Sequence, residues 1–88
     1  MQNIKKTYNG WTNRETWLVS LWLNNDPGSY ALLSEALELK ESNFIKAEWL
    51  DNRLRDEMYD LSLDASLWSD LLAISLAKVN WLEVIEHN

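Results

Sequence analysis

The chain has no cysteine, one histidine, one proline and two glycines in 88 residues, and each shortage excludes something. Without thiols there is no disulfide and no thiolate metal site. A lone histidine, His87, leaves no imidazole cluster and argues against a Ser-His-Asp arrangement in a folded core. No run approaches the ~18 consecutive apolar residues that suggest a membrane span. Lys5 and Lys6 near the N-terminus have no apolar stretch behind them, so a secretion signal is not expected. Period-2 alternation is missing too, which leaves no half-buried strand. These absences together lead to an expectation of a cytoplasmic, all-α protein with no metal and no cofactor.

What is present is apolar and aromatic. Hydrophobic residues make up 47% of the chain and six residues are tryptophan, each able to bury roughly 150–250 Å². A self-supporting single domain is plausible without staples at this length. Net charge is −6 and unevenly spread. Residues 1–25 hold three basic and one acidic side chain (+2), and residues 26–88 hold five basic and thirteen acidic ones (−8). Such a body repels duplex phosphates, so direct duplex DNA binding is not expected, and a basic protein partner is.

The scarce glycines and proline act as punctuation. Asn9-Gly10 is a turn dipeptide closing an N-terminal arm over 1–10. Thr12 reads as an N-cap with Glu15 three residues on, a capping box that opens a helix over 12–25. Apolar residues fill 17, 18, 19, 21, 22 and 23, and only Thr16, Ser20 and Asn24 make a thin polar stripe. A helix apolar over most of its circumference belongs in the interior. Asp26 caps a second helix over 27–41, with Pro27 in its first position. Ser42-Asn43 opens a third over 43–60, whose apolar positions 44, 47, 50, 54, 58 and 61 form the clearest stripe. Asp51 with Arg55, and Arg53 with Glu57, form pairs four apart on its outer side. The fourth helix, 65–79, is again apolar nearly all round, with small residues Ser66, Ser69, Ala73 and Ala77 on one side. Asn80 with Glu83 opens a short fifth helix over 81–87. The reading is a compact bundle of four to five short helices, with 12–25 and 65–79 as its central pair.

The segment Tyr8-Asn9-Gly10-Trp11-Thr12-Asn13-Arg14-Glu15-Thr16-Trp17 packs a turn, a helix start and two tryptophans into ten residues. It resembles the Asn-Gly-Trp-Thr-Asn-x-Glu-Thr-Trp signature of small uncharacterised phage and prokaryotic proteins. The resemblance implies an accessory protein of a phage or mobile element, of the kind that inhibits host defence by binding. Its residues themselves support two readings. Lys5, Lys6, Tyr8, Trp11 and Arg14 interleave cations and aromatics as single-strand sites do. A structural clamp explains the same segment through local helix-start chemistry and is preferred.

Two further groups are candidate sites. The helix-borne tryptophans 17, 22, 49 and 68 are expected to fill the core, with Trp49, beside Tyr59, the weakest case for burial. Glu38, Glu41, Asp51, Asp56, Glu57 and Asp60 are expected outward, with Glu35 and Asp64 nearby, either as a solvated face or as a phosphate-like partner surface. The last two helices have helix-turn-helix topology, but Trp81-Leu82-Glu83-Val84-Ile85-Glu86 lacks the basic and amide side chains of a recognition helix. No nucleophile–base pair is evident, so an enzyme is not expected. Two functions remain. One is a non-enzymatic inhibitor of a host nucleic-acid enzyme, of anti-CRISPR or anti-restriction type, acting through the acidic residues, with Tyr8, Trp11, Trp49 and Tyr59 as secondary contacts. The other is a self-assembling accessory protein that forms a homodimer through surplus apolar surface.

Overall fold

Local cap chemistry sets the helix ends in the computed structural model, which describes residues 8–60 and 67–88, the side chain of Tyr59 excepted. Five helices follow in order: α1 Arg14–Asn25, α2 Pro27–Glu38, α3 Asn43–Asp60, α4 Leu67–Ala77 and α5 Trp81–Glu86. There is no β-strand among the described residues, only a single bridge between Tyr8 and Trp11. The fold is all-α. No helix among these residues is long and apolar enough to cross a membrane.

Asp26 alone joins α1 to α2. Its backbone N–H donates to the Trp22 carbonyl at 2.9 Å, closing α1. Its Oδ2 accepts from the Ser29 N–H at 3.0 Å and the Ser29 hydroxyl at 2.9 Å, opening α2. One residue thus satisfies orphan groups at two helix ends, and the two helices must pack side by side. α2 stops at Glu38 because Leu39 turns extended (φ −63°, ψ 137°), so residues 39–41 lie outside the helix. Ser42 caps α3 through its Oγ, which accepts from the Ile45 N–H at 3.3 Å. Asn80 caps α5, accepting from the Glu83 N–H at 3.1 Å.

The N-cap of α1 is Asn13 rather than Thr12. Asn13 Oδ1 accepts from both the Thr16 N–H (2.8 Å) and the Thr16 hydroxyl (2.6 Å). The Thr12 N–H points elsewhere and donates to Glu83 Oε1 at 3.1 Å. Two adjacent residues carry cap-competent side chains, and it is Asn13 whose side chain reaches the Thr16 amide.

The core lies between α2, α3 and α5. Leu33, Ala36, Leu50 and Val84 are wholly enclosed, with Leu23, Leu32, Ala47, Val79, Trp81 and Ile85 around them. α3 presents Ala47, Leu50, Leu54 and Met58 inward as its spacing predicts, whereas Phe44 at its first turn is 72% exposed. Residue 61, the end of that stripe, lies outside the described residues. α5 is the element most thoroughly enclosed, with four of its six residues buried.

The central pair expected from the sequence is not central. α4 has no buried residue, and α1 is turned over: its buried residues are Thr16, Ser20 and Leu23, two of the three polar-stripe residues with one leucine, while Asn24 is exposed. Thr16 is 0% exposed and Ser20 5%, while Trp22 is 60% exposed. The cause is hydrogen bonding across the chain. Thr16 Oγ1 accepts from the Asn80 N–H at 2.9 Å, and Asn13 Nδ2 donates to the Lys78 carbonyl at 2.7 Å. Small hydroxyl side chains also let neighbouring helices approach closely, which leucines at the same positions would prevent. Two of the four helix-borne tryptophans are correspondingly misplaced by the sequence reading. Trp22 and Trp68 stand out in solvent, Trp17 and Trp49 are half-buried, and the core tryptophan is Trp81.

Candidate functional site

The ten-residue segment that stands out in the sequence folds into a clasp. Asn9 (φ 51°) and Gly10 (φ 88°) both occupy the left-handed region. That conformation makes the tight hairpin turn for which Asn-Gly is the preferred pair. Tyr8 and Trp11 exchange backbone hydrogen bonds of 3.2 and 2.8 Å across it. The Tyr8 ring then packs on Trp17 (centroids 5.0 Å apart), with the Arg14 guanidinium 5.3 Å from the Tyr8 centroid. Arg14 Nε also donates to the Tyr8 hydroxyl at 3.3 Å. Trp11 stacks on His87 at 4.0 Å, tying the arm to the end of α5. Every cation and ring of this segment that is described, Arg14, Tyr8, Trp11 and Trp17, is thereby engaged with a neighbour inside the chain. Lys5 and Lys6 lie outside the described residues.

The six acidic candidates are not gathered onto one face. Glu38 ends α2, Glu41 sits in the following linker, and both are exposed. Asp56 and Asp60 are exposed on α3. Asp51 accepts from Arg55 Nε at 2.7 Å, and Glu57 stands 3.9 Å from Arg53 Nη1. At 3.6 residues per turn, Asp51 and Glu57 flank the buried stripe of α3 on opposite sides. Glu57 belongs instead to the wall of an apolar cavity beside Trp22 and Leu72. Among the secondary candidates, Trp49 packs against the core, and the Tyr59 side chain lies outside the described residues, as does Asp64. No group of three or more His, Asp or Glu side chains among the described residues is placed to hold a metal ion.

The conspicuous surface is apolar. Between α1 and α4 runs a groove formed by two cavities of about 320 and 330 Å³ that share Leu18, Val19, Leu72 and Leu76. Leu18 and Trp22 of α1 and Leu72 of α4 line it, and Leu21 on α1 with Leu67, Trp68, Leu71 and Ile74 on α4 extend the apolar surface of the same two helices; all eight are more than 40% exposed. Leu67, Leu71 and Ile74, spaced four and three, make the outer crest of α4, with Leu72 on the groove side. The eight side chains, each roughly half open, leave on the order of 500 Å² of apolar surface exposed. The largest apolar patch on an ordinary monomer is roughly 300–600 Å² and is often functional. Roughly half open, each such side chain forgoes about half of the ~1.5–3 kcal/mol that full burial would bring. Sequence reasoning recognised these residues as apolar and placed them inside, because nearly uniform apolarity carries no mark of which side faces out.

Taken together, the described residues define a small helical protein with a wide exposed apolar surface. The chain belongs to a family of unknown function, DUF7249, whose match spans residues 4–86. No curated protein and no solved structure is detectably similar to it.

Proposed function

We propose that the protein acts by binding, without turnover, and that its working surface is the apolar face of α1 and α4. The observation that supports this reading is the exposure of eight large hydrophobic side chains on two adjoining helices. Polar side chains occupy the buried side of α1 in the same molecule. A chain that places Thr16 and Ser20 inside and Leu18, Leu21 and Trp22 outside has an outward surface suited to contact. The lining of the α1–α4 groove is mainly apolar, with Arg14, Glu15, Ser29, Glu57 and Ser75 as its polar members. Interfaces combine an apolar centre with a polar rim in this way.

A second reading keeps the acidic residues. In it the protein is a phage or mobile-element inhibitor of a host nucleic-acid enzyme, and the exposed carboxylates Glu38, Glu41, Asp56 and Asp60 meet a basic partner. Asp51 and Glu57 contribute less, since Arg55 and Arg53 stand beside them.

Capture from a bacterial lysate at low and high salt separates the two. A partner retained at high salt, and lost with Trp22→Arg or Leu71→Arg, supports the apolar face. A partner eluted by salt, lost when Asp56 and Asp60 are reversed to lysine and indifferent to the other two variants, moves the working surface to the acidic side.

A further inference from the structure

We infer that the occupant of the α1–α4 face is a second copy of this chain, an inference that rests on the reading of that face as the working surface. Area is the first argument. The eight exposed side chains offer on the order of 500 Å² of apolar surface, which matches the apolar share, about 65%, of the ~800 Å² that each partner contributes to a stable standard-size interface. Composition is the second. Interfaces between identical chains are the more apolar ones, and α4 carries a single charged side chain, Asp70, in eleven residues.

Shape supplies the third. The face has both a ridge and a slot: the crest Leu67–Leu71–Ile74 stands beside the groove floored by Val19 and Leu76. A surface that carries a ridge next to its complement can pair with itself about a two-fold axis, each crest entering the other groove. The i, i+4, i+7 spacing of the crest is the spacing with which one helix packs against another.

Charge then fixes the salt response. Each copy carries −6, so two copies repel through water, and salt screens that repulsion over a Debye length of about 8 Å at physiological strength. Self-association is therefore held or tightened as salt rises. Binding of a basic partner is weakened by the same change.

The test is the mass of the purified full chain by analytical ultracentrifugation, from about 1 to 200 µM, at low and high salt. The expected species is twice the 10.4 kDa chain mass, with intrinsic tryptophan emission moving to the blue as concentration rises and Trp22 and Trp68 leave water. Leu71→Arg and Ile74→Arg, both exposed in the single chain, should each weaken association by about 30-fold or more, as buried contact residues do. Their circular dichroism and melting should match those of the wild-type chain measured at its lowest concentration. Phe44→Arg, exposed on the far end of α3, should leave the mass unchanged. A wild-type chain that stays single at 200 µM overturns the second copy. So does a dimer indifferent to both arginine variants. If the wild-type chain is single yet loses a captured host partner through Leu71→Arg, the inference fails while the apolar face stands. If the dimer forms and breaks as expected but host capture follows Asp56 and Asp60 alone, the inference stands and the broader reading fails.

Discussion

Thr16→Val is expected to destabilise the protein even though it makes a buried side chain more apolar. The substitution keeps the shape and removes one hydroxyl. That hydroxyl donates to Asn13 Oδ1 at 2.6 Å and accepts from the Asn80 N–H at 2.9 Å. Asn13 keeps the Thr16 N–H at 2.8 Å, so its loss is small. The Asn80 N–H loses its acceptor in a part-buried position. Stranding such a donor costs about 1–3 kcal/mol, and partial exposure places it in the lower half, about 1–2 kcal/mol. For a domain of this size that is a fall in Tm of about 4–16 °C. Leu18→Lys, two residues on, is the counterpart. Its outward stem can lie along the surface with the ammonium in water, for a cost within about 1 kcal/mol. Urea and thermal melts at about 1 µM protein, where self-association contributes little, compare the two. If α1 were packed by its apolar side the order would reverse, Leu18→Lys becoming ruinous and Thr16→Val neutral. A Thr16→Val protein that melts with the wild type would refute the inverted helix.

The two glycines should respond oppositely to alanine. Gly10 has φ +88° with open space where a Cβ would stand, so strain alone should cost ~1–2 kcal/mol and loosen the Tyr8–Trp11 clasp. Gly28 sits in the first turn of α2 with only Asp26 Oδ2 at 3.6 Å, and alanine there should raise Tm through a gain of ~0.4–1 kcal/mol. Trp81→Ala should remove ~3–5 kcal/mol, a large share of the ~5–15 kcal/mol available to such a domain. The half-buried Trp17 should cost clearly less when replaced by alanine. Equal losses in chemical denaturation would contradict the placement of Trp17 on the clasp.

Helix positions were legible in this chain where the signal is local. Asp26-Pro27, Ser42-Asn43 and Asn80 each announce a helix start, because a cap bonds to an amide only two or three residues away. The inward stripe of α3 was legible from Ala47 to Met58, because polar residues separate its apolar ones. The facing of α1 and α4 was not. When almost every position is apolar, periodicity assigns no side, and the decision passes to bonds between residues 64 or more apart, Thr16 to Asn80 and Asn13 to Lys78. α5 was undervalued for a different reason: six residues are too few to display a period, so the deep burial of Trp81, Val84 and Ile85 left no mark in the sequence. Surplus apolar surface was legible as an amount but not as a place, the residues of this face having been counted toward the core.

The bonds from the clasp and α1 to α5 also bear on how the chain comes into being. Thr12 meets Glu83 across 71 residues of chain, and Thr16 meets Asn80 across 64. A ribosome adds about 5–20 residues each second, so α1 waits several seconds for the segment that encloses its polar stripe. During that interval Thr16 and Ser20 have water as a partner, and Leu18, Leu21 and Trp22 lie on the opposite side of the same helix. The side that must wait for its mate is the hydrophilic one, which is at ease in water until α5 emerges. Synthesis and assembly are thereby put in sequence: the nascent helix keeps its hydroxyls hydrated until α5 arrives to dock.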